Sequence, residues 1–239
     1  MKVDVLVAGV SAAVRPLQKA TSTIPIIMAA PVDPVGNGFV MSLAHPGGNT
    51  TGLASSADDS APKQVDLLFT AVPKLSRVGV LVNPLNPSSF AMSARAEAAA
   101  KNANLFVISV PARNAEEIES AFATFVSERI QAVIVTADAL FFVRREQLAR
   151  LALRDRIASI SPQGEYAKAG GLMSYGESLE EFFRRAASFA DKIFKGAKAG
   201  DLPIEQPTRF NLTINRRTAD ALGLAIQPQL YIFADEVIE

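Results

Sequence analysis

Continuous apolar, β-branched runs alternate along this chain with stretches whose apolar residues recur at three- and four-residue spacing. The runs predict strands at 4–8, 24–29, 77–82, 105–110, 132–136, 158–161 and 171–174. The amphipathic stretches predict helices at 12–20, 63–71, 88–102, 115–128, 144–154 and 179–195. A strand that is apolar on both faces belongs in a sheet covered on both sides. Strand–helix alternation is how parallel neighbours are joined. The pattern therefore predicts an α/β protein with parallel, doubly wound sheets. After the last long helix, 206–214 reads as extended and 216–222 as a short helix.

The pattern breaks between 31 and 62. Pro31, Pro34, Gly36 and Gly38 are followed by Pro46, Gly47, Gly48 and Gly52, with Asn, Thr and Ser around them. Such residues punctuate structure instead of continuing it. A two-strand fragment lies before the break and four strand–helix units lie after it. This organisation predicts two Rossmann-like lobes, 1–54 with 172–205 and 55–171 with 206–239. The strand at 4–8 has no upstream partner, so the first lobe is expected to be incomplete. Its open edge would be a contact for a second copy, because unprotected strand edges pair with other chains.

Composition narrows the chemistry. Of 239 residues 49% are apolar, and 24 basic residues balance 24 acidic ones. No basic field argues for nucleic acid. The chain has no cysteine and one histidine, His45. Disulfides, thiolate catalysis and cysteine-based metal sites are excluded, and a triad or a histidine metal site would rest on His45 alone. His45 sits in a turn-rich Pro/Gly segment and reads as a surface residue. Neither a metal nor a cofactor is expected. The N-terminus lacks the pattern of an export signal, so the chain as written reads as cytoplasmic.

In doubly wound sheets ligands bind beyond the carboxyl ends of the strands, where helix N-termini present backbone amides. Five such turns carry the candidate residues. After the first strand, Ser11 is a helix cap or a ligand hydroxyl. After the second, Ala30 permits close backbone approach, and Asp33 either orders its own turn before Pro34 or accepts a ligand ammonium. After the third, Asn83 and Asn86 offer donors and acceptors, and Ser88 or Ser89 caps the next helix. Asp138, ahead of Phe141 and Phe142, ends another strand, and Glu165 and Tyr166 follow the strand at 158–161. No nucleophile, base and orienting group converge, which suits binding better than catalysis.

Several segments are distinctive together: Asp33-Pro34-Val35-Gly36, His45-Pro46-Gly47-Gly48-Asn49-Thr50-Thr51-Gly52, Gly170-Gly171-Leu172-Met173-Ser174-Tyr175-Gly176, Asp201-Leu202-Pro203-Ile204-Glu205-Gln206-Pro207 and Asn211-Leu212-Thr213-Ile214-Asn215. In this order they resemble the ABC-transporter substrate-binding protein family that includes the tryptophan/tyrosine-type solute receptors. The resemblance implies a type I periplasmic-binding-protein-like fold with a small-molecule ligand between two lobes. It further implies a periplasmic location, ABC permease subunits as partners and, as ligand, a small polar metabolite such as an amino acid, aromatic ones included. Family members carry further strand–helix units ahead of the point matching Val3. A ligand-sensing regulatory module with the same clamp is the alternative, and an enzyme is a third reading.

Overall fold

The computed structural model of the protein describes residues 3–206 and 209–239. Met1 and Lys2 of the expected first lobe lie outside the described residues, as do Pro207 and Thr208 of the expected extended run. The chain opens with β1 (Leu6–Ala8), α1 (Ser11–Ala20), β2 (Ile26–Met28), β3 (Thr50–Gly52) and α2 (Ala61–Ala71). Next come β4 (Arg77–Val82), α3 (Pro87–Asn102), β5 (Phe106–Pro111), α4 (Ala115–Ser127) and β6 (Ala132–Val135). They are followed by α5 (Ala139–Val143), α6 (Arg145–Arg154), β7 (Ala158–Ser161), α7 (Gly164–Lys168) and β8 (Met173–Gly176). The last elements are α8 (Leu179–Phe194), β9 (Asn211–Asn215), α9 (Arg216–Leu222), α10 (Pro228–Phe233) and β10 (Glu236–Ile238).

These elements form two compact units, 3–56 with 178–206 and 57–177 with 209–239. The expected boundary at 172 differs from this division. Strand β8 pairs with β7, Ile160 opposite Met173 and Ser161 opposite Ser174, so residues through Glu177 belong to the second unit.

The first unit is built on a three-stranded parallel sheet in the order β1-β2-β3. Its central strand is buried along its whole length, which is why Ile26-Ile27-Met28 is uninterruptedly apolar. Alternation sends Ile26 and Met28 to one face with Val14 of α1, and Ile27 to the other with Phe182, Ala186 and Phe189 of α8. Those three recur at helical spacing, so one stripe of α8 covers the sheet. Strand β3 lies inside the Pro/Gly-rich break, where no strand was expected. Gly52 explains how it fits: its φ is +126°, and a Cβ there would lie 2.2 Å from the Met28 carbonyl oxygen. Only glycine permits both the conformation and the approach. Strand β1 is an edge, and Val7 on it is 50% exposed.

The second unit carries a seven-stranded sheet in the order β10-β9-β8-β7-β6-β4-β5. All neighbours are parallel except β8 and β9. Gly176 stands opposite Asn211, so β9 starts beside the end of β8 and runs back along it. Alternation again divides the core. Val78, Val80, Ile134 and Ile160 pack with α2 and α3, while Leu81, Val133 and Val135 pack with α4 and α6. The Phe125 ring covers Gly79 of β4, where a Cβ would come within 2.6 Å of it. The short elements α5, α7, α10 and β10 were not expected, being too brief for periodicity to mark.

Candidate functional site

Turns at the carboxyl ends of the two sheets hold most of the residues singled out in the sequence, and the two units use them differently. In the first unit α1 starts at Ser11 and is preceded by Val10 as its cap residue, so Ser11 is not the N-cap. Its hydroxyl accepts a hydrogen bond from the Val32 amide at 3.1 Å, tying the start of α1 to the turn after β2. Ala30 is half-buried in that turn. Asp33 is exposed and sits at φ +43°, in the left-handed region. Its Oδ1 accepts from the Gly36 amide at 2.9 Å, and its carbonyl accepts from the Asn37 side chain. This self-ordered turn is one of the two expected readings of Asp33. His45 is exposed, and its amide donates to Ser42 Oγ.

In the second unit three of the expected residues meet. Asp138 is buried, with 7% of its surface exposed. Its Oδ1 accepts from Asn83 Nδ2 at 3.0 Å and from the Leu140 amide at 2.8 Å, and its Oδ2 accepts from Asn86 Nδ2 at 2.8 Å. The two asparagines turn their own oxygens inward as well: Asn83 Oδ1 accepts from the Leu85 amide and Asn86 Oδ1 from the Ser88 amide. Asn86, not Ser88 or Ser89, is the cap of α3. Ser89 instead accepts from the Asn83 amide and meets Thr136 Oγ1, which donates to the Leu81 carbonyl. Buried polar groups must find partners, and here a buried carboxylate is surrounded by amide donors. The loop after β4 and the turn after β6 are thereby fastened together. Asp138 therefore has three donors from the protein itself, which leaves little of it for a ligand ammonium.

The structure separates Glu165 and Tyr166. Glu165 is half-buried in the first turn of α7. Tyr166 is 2% exposed, packed in the core with Ala149, Ile157 and Phe141, and does not face a cleft. A Cβ at Gly171 would fall 2.2 Å from its ring. Its hydroxyl has no hydrogen-bond partner, and burial pushes its pKa up. Phe141 is buried in the same core, while Phe142 lies half-buried beneath the Arg145 guanidinium, 5.0 Å from the ring centre.

Leu85, not singled out in the sequence, lies within Asn83-Pro84-Leu85-Asn86-Pro87, 75% exposed at this same edge. It is one apolar residue set between two Asn and two Pro.

Comparison with known proteins places this arrangement. A family model described as ABC transporter substrate binding protein matches residues 1–238. The chain belongs to the ABC transporter substrate-binding protein family. Its architecture is that of the type I periplasmic binding proteins. Within the family it is 28% identical over 238 residues to a "Tyrosine-binding protein" of Clostridioides difficile, covering 98% of this chain and 68% of that one. It is similar to the ABC domain of a Streptococcus pneumoniae protein solved in complex with L-Trp. That match has a TM-score of 0.90 and 26% identity, and it covers 98% of this chain and 79% of the other. A conserved domain protein of Vibrio cholerae shares the fold, with a TM-score of 0.91, 24% identity, and 99% and 79% of the two chains covered. Two of these relatives are described by what they bind, tyrosine in one and L-Trp in the other. Among the described residues no helix is long and apolar enough to cross a membrane.

Proposed function

We propose that this protein is the solute receptor of an ABC importer. It captures an amino acid with an aromatic side chain outside the cytoplasmic membrane and delivers it to permease subunits. The observation that carries this reading is the family membership over residues 1–238, joined to relatives described as binding tyrosine and L-Trp. The ligand rests at the carboxyl edge of a sheet. Its carboxylate meets amides and hydroxyls at the positive end of one helix, near Ser11 and Ala30 for α1 or near Ser88 for α3. Asn83 and Asn86 shape the seat at α3. The ammonium is held by Asp33 or Glu165, with Asp138 in support behind the loop and Tyr166 anchoring α7 in the core.

Titration calorimetry with L-tryptophan and L-tyrosine, against L-alanine and L-glutamate, tests the ligand class. Binding of an aromatic amino acid at micromolar Kd is expected, and binding of none of the four overturns the reading. Permease coupling is tested by reconstituting the cognate permease in proteoliposomes, where the loaded protein should stimulate ATP hydrolysis.

A further inference from the structure

The geometry points to Leu85 as the side chain that meets the apolar part of the ligand, with Asp138 as the positioning residue that holds it there. This inference rests on the receptor reading and names the contact that sets its selectivity. Leu85 is 75% exposed, and most exposed apolar side chains need no explanation. What distinguishes Leu85 is the rigidity beneath it. Pro84 and Pro87 fix φ on either side. The Leu85 amide donates to Asn83 Oδ1 at 3.0 Å. Asn83 and Asn86, flanking it, are each bound through Nδ2 to the buried carboxylate of Asp138. The Asn83 amide is held by Ser89, whose hydroxyl meets Thr136. The loop has few ways left to move, yet the one large apolar side chain at its tip is presented to solvent at the carboxyl edge of a parallel sheet, where ligands of such sheets bind. A contact ordered before binding loses little entropy when the ligand arrives.

The occupant is the apolar side chain of the amino acid. Two relatives that match this chain over nearly its whole length are described with tyrosine and L-Trp, whose side chains are aromatic. Asp138 contributes indirectly. Asn83, Asn86 and Leu140 take three of the about four hydrogen bonds its two oxygens can accept, so most of it is spent on the loop. Exchanging it for asparagine keeps an acceptor oxygen for Asn83 and Leu140 but sets an amide donor against Asn86 Nδ2, releasing the loop on the Asn86 side of Leu85.

The experiment is a double-mutant cycle on affinity, read by calorimetry with L-tryptophan and L-tyrosine. Leu85→Ala, a surface change, should keep the thermal midpoint and raise Kd about tenfold, the lower end of what losing apolar groups from a binding site costs. Ile232→Ala, equally exposed on α10, should leave Kd unchanged. Asp138→Asn should also raise Kd, and should add little once Leu85 is alanine, because it acts through Leu85. If Asp138→Asn does not fold, Asn86→Ser replaces it, keeping a capping hydroxyl while removing the tie to Asp138. An unchanged Kd for Leu85→Ala overturns the Leu85 contact and leaves the receptor reading standing. Full additivity in the cycle overturns the positioning role. If the unaltered protein binds neither amino acid, the receptor reading falls and this inference falls with it.

Discussion

The two sheets end in loops of similar composition, Ala-Pro-Val-Asp-Pro after β2 and Asn-Pro-Leu-Asn-Pro after β4, but they are stabilised by opposite means. After β2 the polar group serves itself. Asp33 is exposed, caps its own turn at Gly36, and the support comes from backbone packing at Gly52 and the Ser11–Val32 link. After β4 the polar groups serve one another through a buried carboxylate that ties together segments 55 residues apart in sequence. The difference shows that an aspartate at a strand end has no fixed meaning. Burial and the donors around it decide whether it orders one turn or binds two loops.

That contrast can be broken from either side. The largest effect is expected at Gly52, whose added Cβ would strike the Met28 backbone and whose φ disfavours any other residue. Gly52→Ala should cost about 3 kcal/mol or more, seen as an early unfolding transition in denaturant. Asp138→Ala should cost about 3 kcal/mol, because it leaves two side-chain amides and the Leu140 amide without their acceptor. A cost under about 1 kcal/mol would mean that the knot does not hold the loop. Tyr166→Phe works in the other direction. It removes a buried hydroxyl without a partner, so stability should hold or rise by about 1 kcal/mol, a gain of roughly 2–4 °C in Tm. Affinity should not change, and a tenfold loss would return Tyr166 to the ligand. The smallest effect on stability belongs to Asp33→Ala, which loses one exposed turn hydrogen bond worth about 0.5–1 kcal/mol. A loss of affinity with that small stability change would mark Asp33 as the ammonium acceptor.

The sequence by itself determined the fold class and most of the long elements. Apolar strand segments such as Ile26–Met28 and 78–82, alternating with helices such as Leu179–Phe194, have few other ways to bury their surfaces. The loops at the strand ends were legible too, since Pro, Asn and Asp at those places have local reasons to be there. Tertiary structure alone decided what those residues do. Whether Ser11 caps a helix or reaches to Val32, and whether Tyr166 faces solvent or the core, depends on neighbours far away in the chain. Strand β3 hid among turn residues because its stability comes from pairing with β2, a contact that local propensity does not register. The Asp138 knot was likewise invisible as a knot. Its three residues could each be named, but a hydrogen bond between residues 83 and 138 exists only once β4 and β6 lie side by side.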